Sequence, residues 1–89
     1  MKGQVALVVC ERGVRFAVVV VRPSVISGVK RERDEAARAF SAEFGVPAVL
    51  MAQGSRGVPI YDGRSDLVEF LAEVGAEQLP WREFEMRAA

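Results

Sequence analysis

Gln4-Val-Ala-Leu-Val-Val-Cys10 and Val14-Arg-Phe-Ala-Val-Val-Val-Val-Arg22 stand on either side of Glu11-Arg12-Gly13. Val is branched at Cβ, which suits the pleated surface of a strand better than a helix. Two such runs joined by three residues ending in Gly predict a hairpin, the Gly taking the left-handed position that closes the turn. From Phe16 to Val21 the second run never alternates with polar residues. A strand apolar on both faces is central in its sheet, or has its second face covered by another layer or subunit. Arg22-Pro23 ends it, because Pro has no N–H to give to a ladder.

Beyond the hairpin, Pro23 to Val29 reads as a connection. Val29, Ala36, Ala37, Phe40 and Phe44 then fall on one helical stripe. Gly45 sits where a left-handed cap belongs and Pro47 follows closely, so the end of this helix is firm. Its beginning is open: the basic residues after Gly28 lie inside it, or it starts at Asp34 with Asp34 and Glu35 in the first turn. Ala48 to Gln53 is a third strand, Gly54-Ser-Arg-Gly57 a turn, and Val58 to Tyr61 a fourth strand that Pro59 places at an edge or a bulge. Ser65 is an N-cap with Asp66 behind it. Leu67, Phe70, Leu71 and Val74 give the stripe of a second helix, stopped by Gly75. Leu79 to Met86 reads as a strand, Phe84 and Met86 alternating with Glu83 and Glu85. A short helix from Pro80 is the alternative.

The order is ββαββαβ. Without its first strand this is βαββαβ, the ferredoxin-like split arrangement. The expected fold is therefore α+β: one domain over residues 1–89, a two-layer sandwich with two helices on one face of a five-stranded sheet. Two ββα units related by duplication are a minor alternative, suggested by Arg12-Gly-Val14 and Arg56-Gly-Val58.

With 89 residues there is room for one core, and a hydrophobic fraction of 51% is enough to fill it. Twelve basic and twelve acidic residues cancel, leaving no surplus for neutralising phosphates, so nucleic acid is not an expected partner. Arg12-Gly-Val-Arg-Phe-Ala-Val-Val19 is similar to the signature strand of RNA-recognition domains at Arg12, Gly13 and Phe16 only. Val14, Arg15 and Val19 replace its other key positions, including its stacking aromatics, and the segment lies in the wrong strand.

The chain has no His, Asn or Thr. That excludes a Ser-His-acid triad, a Cys-His pair and a His-based zinc site. One cysteine, Cys10, forms no internal disulfide; it reads as a small buried hydrophobe in a reducing compartment. No secretory pattern opens the chain, and Phe16 to Val21 is too short to cross a bilayer, so a cytoplasmic location without a membrane partner is expected. Arg outnumbers Lys ten to two and Glu outnumbers Asp nine to three, a composition of GC-rich and thermophilic sources.

Three places carry residue types that hold ligands. Ser27, Gly28, Lys30, Arg31 and Arg33 gather donors and cations near the start of the first helix, where an anion or phosphate is favoured. Against this, Arg38 follows Asp34 by four residues, an ordinary helical ion pair. Ser55 and Arg56 in the Gly54–Gly57 turn, with Tyr61 and Arg64, form a second phosphate candidate. The Gly-Lys-Ser/Thr ending of a nucleotide loop is absent, so a plain hairpin turn is the competing reading and no cofactor is expected. Asp62, Asp66 and Glu69 at the junction of fourth strand and second helix are oxygen donors suited to a hard cation. Ordinary chemistry accounts for them better: Asp66 complements the helix dipole, Glu69 is a solvated helix residue and Asp62-Gly63 is a turn, so no metal is expected either.

Pro47-Ala-Val-Leu-Met-Ala-Gln53, Arg56-Gly-Val-Pro-Ile-Tyr61, Gly63-Arg64, Asp66-Leu-Val68 and Pro80-Trp-Arg82 resemble segments of short proteins of unassigned activity from GC-rich and thermophilic bacteria. The resemblance covers the second half of the chain and implies no activity. No catalytic residues are expected. The leading expectation is a small non-enzymatic binding or assembly module that self-associates as a dimer, because two helices are few to cover Val-rich strands apolar on both faces. A different protein partner is also compatible with such a face, and a small-anion binder using the start of the first helix is the alternative.

Overall fold

Residues 2–86 are described by a computed structural model, and pairing in it starts from the predicted hairpin. Strands β1 (Lys2–Val9) and β2 (Arg15–Val20) are antiparallel, Val5 opposite Val19 and Val9 opposite Arg15. Gly13 closes the turn at φ +80°, its N–H donating to the Cys10 carbonyl at 2.8 Å.

The connection after β2 contains a helix of its own. Pro23 supplies a first helical residue for α1 (Pro23–Ser27), since its ring presets φ and its missing N–H would be unpaired there anyway. Gly28 and Val29 break the chain before α2 (Lys30–Phe44), which therefore begins ahead of Asp34. It ends as expected: Gly45 adopts φ +71° and donates its N–H to the Ser41 carbonyl at 2.8 Å. Strand β3 (Ala48–Gln53) returns parallel to β2, so β2, the helices and β3 form a βαβ unit of adjacent strands. A turn at Ser55–Gly57 leads to β4 (Pro59–Asp62), antiparallel to β3 and on the sheet edge, where Pro59 is tolerated. After α3 (Ser65–Ala72), β5 (Trp81–Glu85) pairs antiparallel with β1, which makes the tail a strand.

Among the described residues the architecture is α+β, a five-stranded mixed sheet in the order β4-β3-β2-β1-β5 with three α-helices. Two expectations need correction. The ferredoxin-like order places a third strand between the two that a helix joins; here β2 and β3 are direct neighbours, and β1 takes the other edge of β2, which displaces β5 outward onto β1. Nor do the helices share one face. Ala17, Val19 and Leu50 pack with Phe40 of α2, whereas Phe16, Val18, Val49 and Met51 pack with Leu67 and Leu71 of α3. Successive strand side chains point to opposite faces, so these two sets lie on opposite sides of one sheet. The unbroken Phe16–Val20 run is the sequence counterpart of this double coverage, every side chain from Phe16 to Val19 being fully buried.

Aromatic rings lock both sides. Phe16 meets Phe70 edge to face at a centroid distance of 6.2 Å. On the α2 side the Phe84 ring stands at 6.0 Å from Phe40 and 5.2 Å from Phe44, tying β5 to the helix end. Gly3, opposite Phe84 in the β1–β5 pairing, leaves the space that ring fills.

Candidate functional site

At the α1–α2 junction the anion-site candidates adjoin, yet their polar side chains are already engaged with protein partners, those of Lys30 and Arg31 at the surface. Lys30 donates to Asp34 at 2.8 Å, and Arg31 to Glu35 at 3.3 Å. The Lys30 hydrogen bond holds the Asp34 carboxyl below its ordinary value. Arg33 donates to the carbonyls of Ile26 and Gly28 at 2.6 and 3.3 Å, and its Nε lies 3.7 Å from Asp62. Ser27 donates back to the Pro23 carbonyl at 3.2 Å. Of these contacts only those of Arg33 join the two helices and reach β4.

The second set disperses. Ser55 and Arg56 are exposed in the β3–β4 turn, Arg56 in the left-handed region at φ +61°. The amides of Gly54, Gly57 and Val58 close that turn by bonding within it. Arg64, beyond the far end of β4, forks onto Asp66 with hydrogen bonds of 3.1 and 2.7 Å. That pairing lowers the Asp66 carboxyl and raises the Arg64 guanidinium. Of the carboxylates considered for a cation, Asp62 faces Arg33, Asp66 holds Arg64, and Glu69 is exposed on α3. Among the described residues no group of three or more acidic or Cys side chains stands close enough to hold a metal ion.

Tyr61 separates from its companions. It lies opposite Met51, on the α3 side of the sheet, and lines a cleft of about 910 Å³ at the carboxyl ends of β2 and β3. Val20 and Met51 form part of its floor, the last turn of α3 one wall, and Trp81 another. Sequence reasoning missed this cleft because its lining comes from all five strands, α3 and the loop after it. Trp81, the single tryptophan of the chain, was the one local sign.

A third feature is an unfinished edge. β5 pairs with β1 only from Lys2 to Ala6, while β2 pairs with it from Val5 to Val9. The last three residues of β1, Leu7-Val8-Val9, thus extend past β5, and among the described residues no strand is paired to their outer side. Leu7 and Val9 point to the same face and are 47% and 57% exposed. The true edges differ: β4 is four residues long and starts with Pro, and β5 carries Arg82, Glu83 and Glu85, features that discourage pairing with another chain.

Among the described residues no helix is long and apolar enough to cross a membrane. No protein-family model, curated protein or solved structure matches the chain.

Proposed function

We propose that the protein is a small cytoplasmic binding and assembly module that acts by self-association rather than by catalysis, with the Leu7–Val9 edge of β1 as its contact. The carrying observation is that two exposed apolar side chains, Leu7 and Val9, stand on an unpaired strand edge, while Val8 between them packs inward. A second copy related by a two-fold axis would set the two Leu7-Val8-Val9 segments antiparallel, each completing the ladder of the other. Both apolar faces of the central strands are covered within one chain, which leaves the strand edges for a contact; Val58 and Ile60 are exposed at the β4 edge too, but there Pro59 interrupts the ladder. A free, half-buried thiol at Cys10, packed against the α3-side core, fits a reducing compartment. The anion-binding reading has less support, because Lys30, Arg31 and Arg33 each already face a carboxylate.

Sedimentation equilibrium tests the reading. Wild-type protein is expected to associate reversibly, and a variant carrying Leu7→Lys and Val9→Lys to remain a monomer. A wild-type protein still monomeric at about 1 mM, where an association of about 4 kcal/mol is half-populated, overturns it.

A further inference from the structure

The cleft beside Tyr61 has the chemistry of a ligand site. Its size falls in the range of small-molecule pockets, and its lining is apolar where Val20, Met51, Leu71 and Val74 meet. The charged residues in the lining are Glu73 and Glu77; no Lys or Arg is among them. The Tyr61 hydroxyl is buried and has no hydrogen-bond partner. Burial raises the pKa of this phenol, and the negative charge of Glu77 raises it further, so a negative field reaches the hydroxyl.

The cleft wall is also held in place. Trp81 Nε1 donates to the Ala76 carbonyl at 2.8 Å, fixing the indole against the turn that carries Glu77. The Glu77 carboxylate folds back over Gly75, where a Cβ would stand 2.6 Å from its Oε1. An electron-rich indole face, a carboxylate and an unpartnered phenol oxygen are all acceptors of positive charge. An anion would meet two carboxylates and no cation.

We propose that this cleft binds a small organic cation, an ammonium group on an apolar body. The ammonium sits with Glu77, Trp81 and the Tyr61 hydroxyl, and the apolar part lies against Met51 and Leu71. This site is independent of the β1 edge proposed for self-association.

Trp81 is the sole tryptophan, so its emission reports occupancy directly. Three probes share one body: phenethylammonium, neutral 2-phenylethanol and anionic phenylacetate. Phenethylammonium is expected to change the emission saturably, 2-phenylethanol to bind at least about tenfold more weakly, and phenylacetate more weakly still. Loss of one charge-assisted contact is worth about tenfold, so Glu77→Gln and Tyr61→Phe should each weaken the ammonium by that factor. Tyr61→Phe removes only an unbonded hydroxyl and keeps the fold, which secures the test if Glu77→Gln does not fold. Phenylacetate binding as tightly as the ammonium, no saturable response to the ammonium, or unchanged affinity in Tyr61→Phe would each overturn the proposal.

Discussion

Arg33 donates a 2.6 Å hydrogen bond to the backbone carbonyl of Ile26, across the break between α1 and α2. The same guanidinium reaches Gly28 and approaches Asp62, so one side chain joins two helices and an edge strand. Replacing it by Met keeps much of the stem but leaves these carbonyls unpartnered. Arg33→Met is expected to lower unfolding stability by about 1–3 kcal/mol, the cost of stranding partly buried acceptors. Asp62→Asn should cost less than about 1 kcal/mol, because that carboxylate is 41% exposed and 3.7 Å away. Urea midpoints of the two variants decide the order.

Gly3 faces the Phe84 ring so closely that an added Cβ would stand 2.8 Å from Cε1. The ring cannot swing freely, being held edge to face by Phe40 and Phe44. Gly3→Ala is therefore expected to cost about 1–3 kcal/mol by overpacking. Phe16→Ala, which empties the centre of the opposite layer, should cost about 3–5 kcal/mol. Thermal or denaturant unfolding measures both.

Tyr61 is the only tyrosine, so tyrosinate absorbance titrates it alone. Its midpoint is expected above the ordinary 10.0, and Glu77→Gln should bring it down by removing the nearby negative charge. The folded state favours the neutral phenol, so its contribution is complete below pH 10 and is lost as pH rises through the higher folded value. In Tyr61→Phe the alkaline fall in stability should lose this component.

On the acid side the sign reverses. Asp66, held by Arg64, and Asp34, held by Lys30, both have lowered pKa values. Their contribution is present above the ordinary value of 3.8 and fades as pH falls through the lower folded values. Arg64→Ala should flatten this acid limb, as read from urea midpoints across that range.

Punctuation in the sequence was legible wherever one residue decides a backbone angle. Gly13 and Gly45, both at positive φ, marked a turn and a helix end without any tertiary information. The five residues of α1 were not legible, because Pro23 to Ser27 is too short to show a period. The Phe16–Val21 run showed that both sheet faces need a cover, but the expectation of both helices on one face and a second copy on the other was wrong about what supplies it: α3 covers the second face, and the path of the connections that puts it there is recorded in no local pattern. Strand order failed for a related reason. Nothing in Trp81–Glu85 states that it pairs with β1 rather than lying beside β2, as the ferredoxin-like order requires. Of the site candidates, Lys30, Arg31 and Arg33 lie in the first turn of α2, a start that the sequence left open, and their engagement with Asp34, Glu35 and Asp62 needed three dimensions. The cleft and the open edge at Leu7–Val9 arise where pairing stops, so only the assembled sheet reveals them.

Hydrogen exchange at the amides of Leu7, Val8 and Val9, followed as a function of protein concentration, tests the proposed self-association most directly. If a second copy completes the ladder there, exchange within this segment slows as concentration rises, and Leu7→Lys removes the effect. Exchange rates at these three residues that stay constant from dilute to concentrated solution would contradict the account.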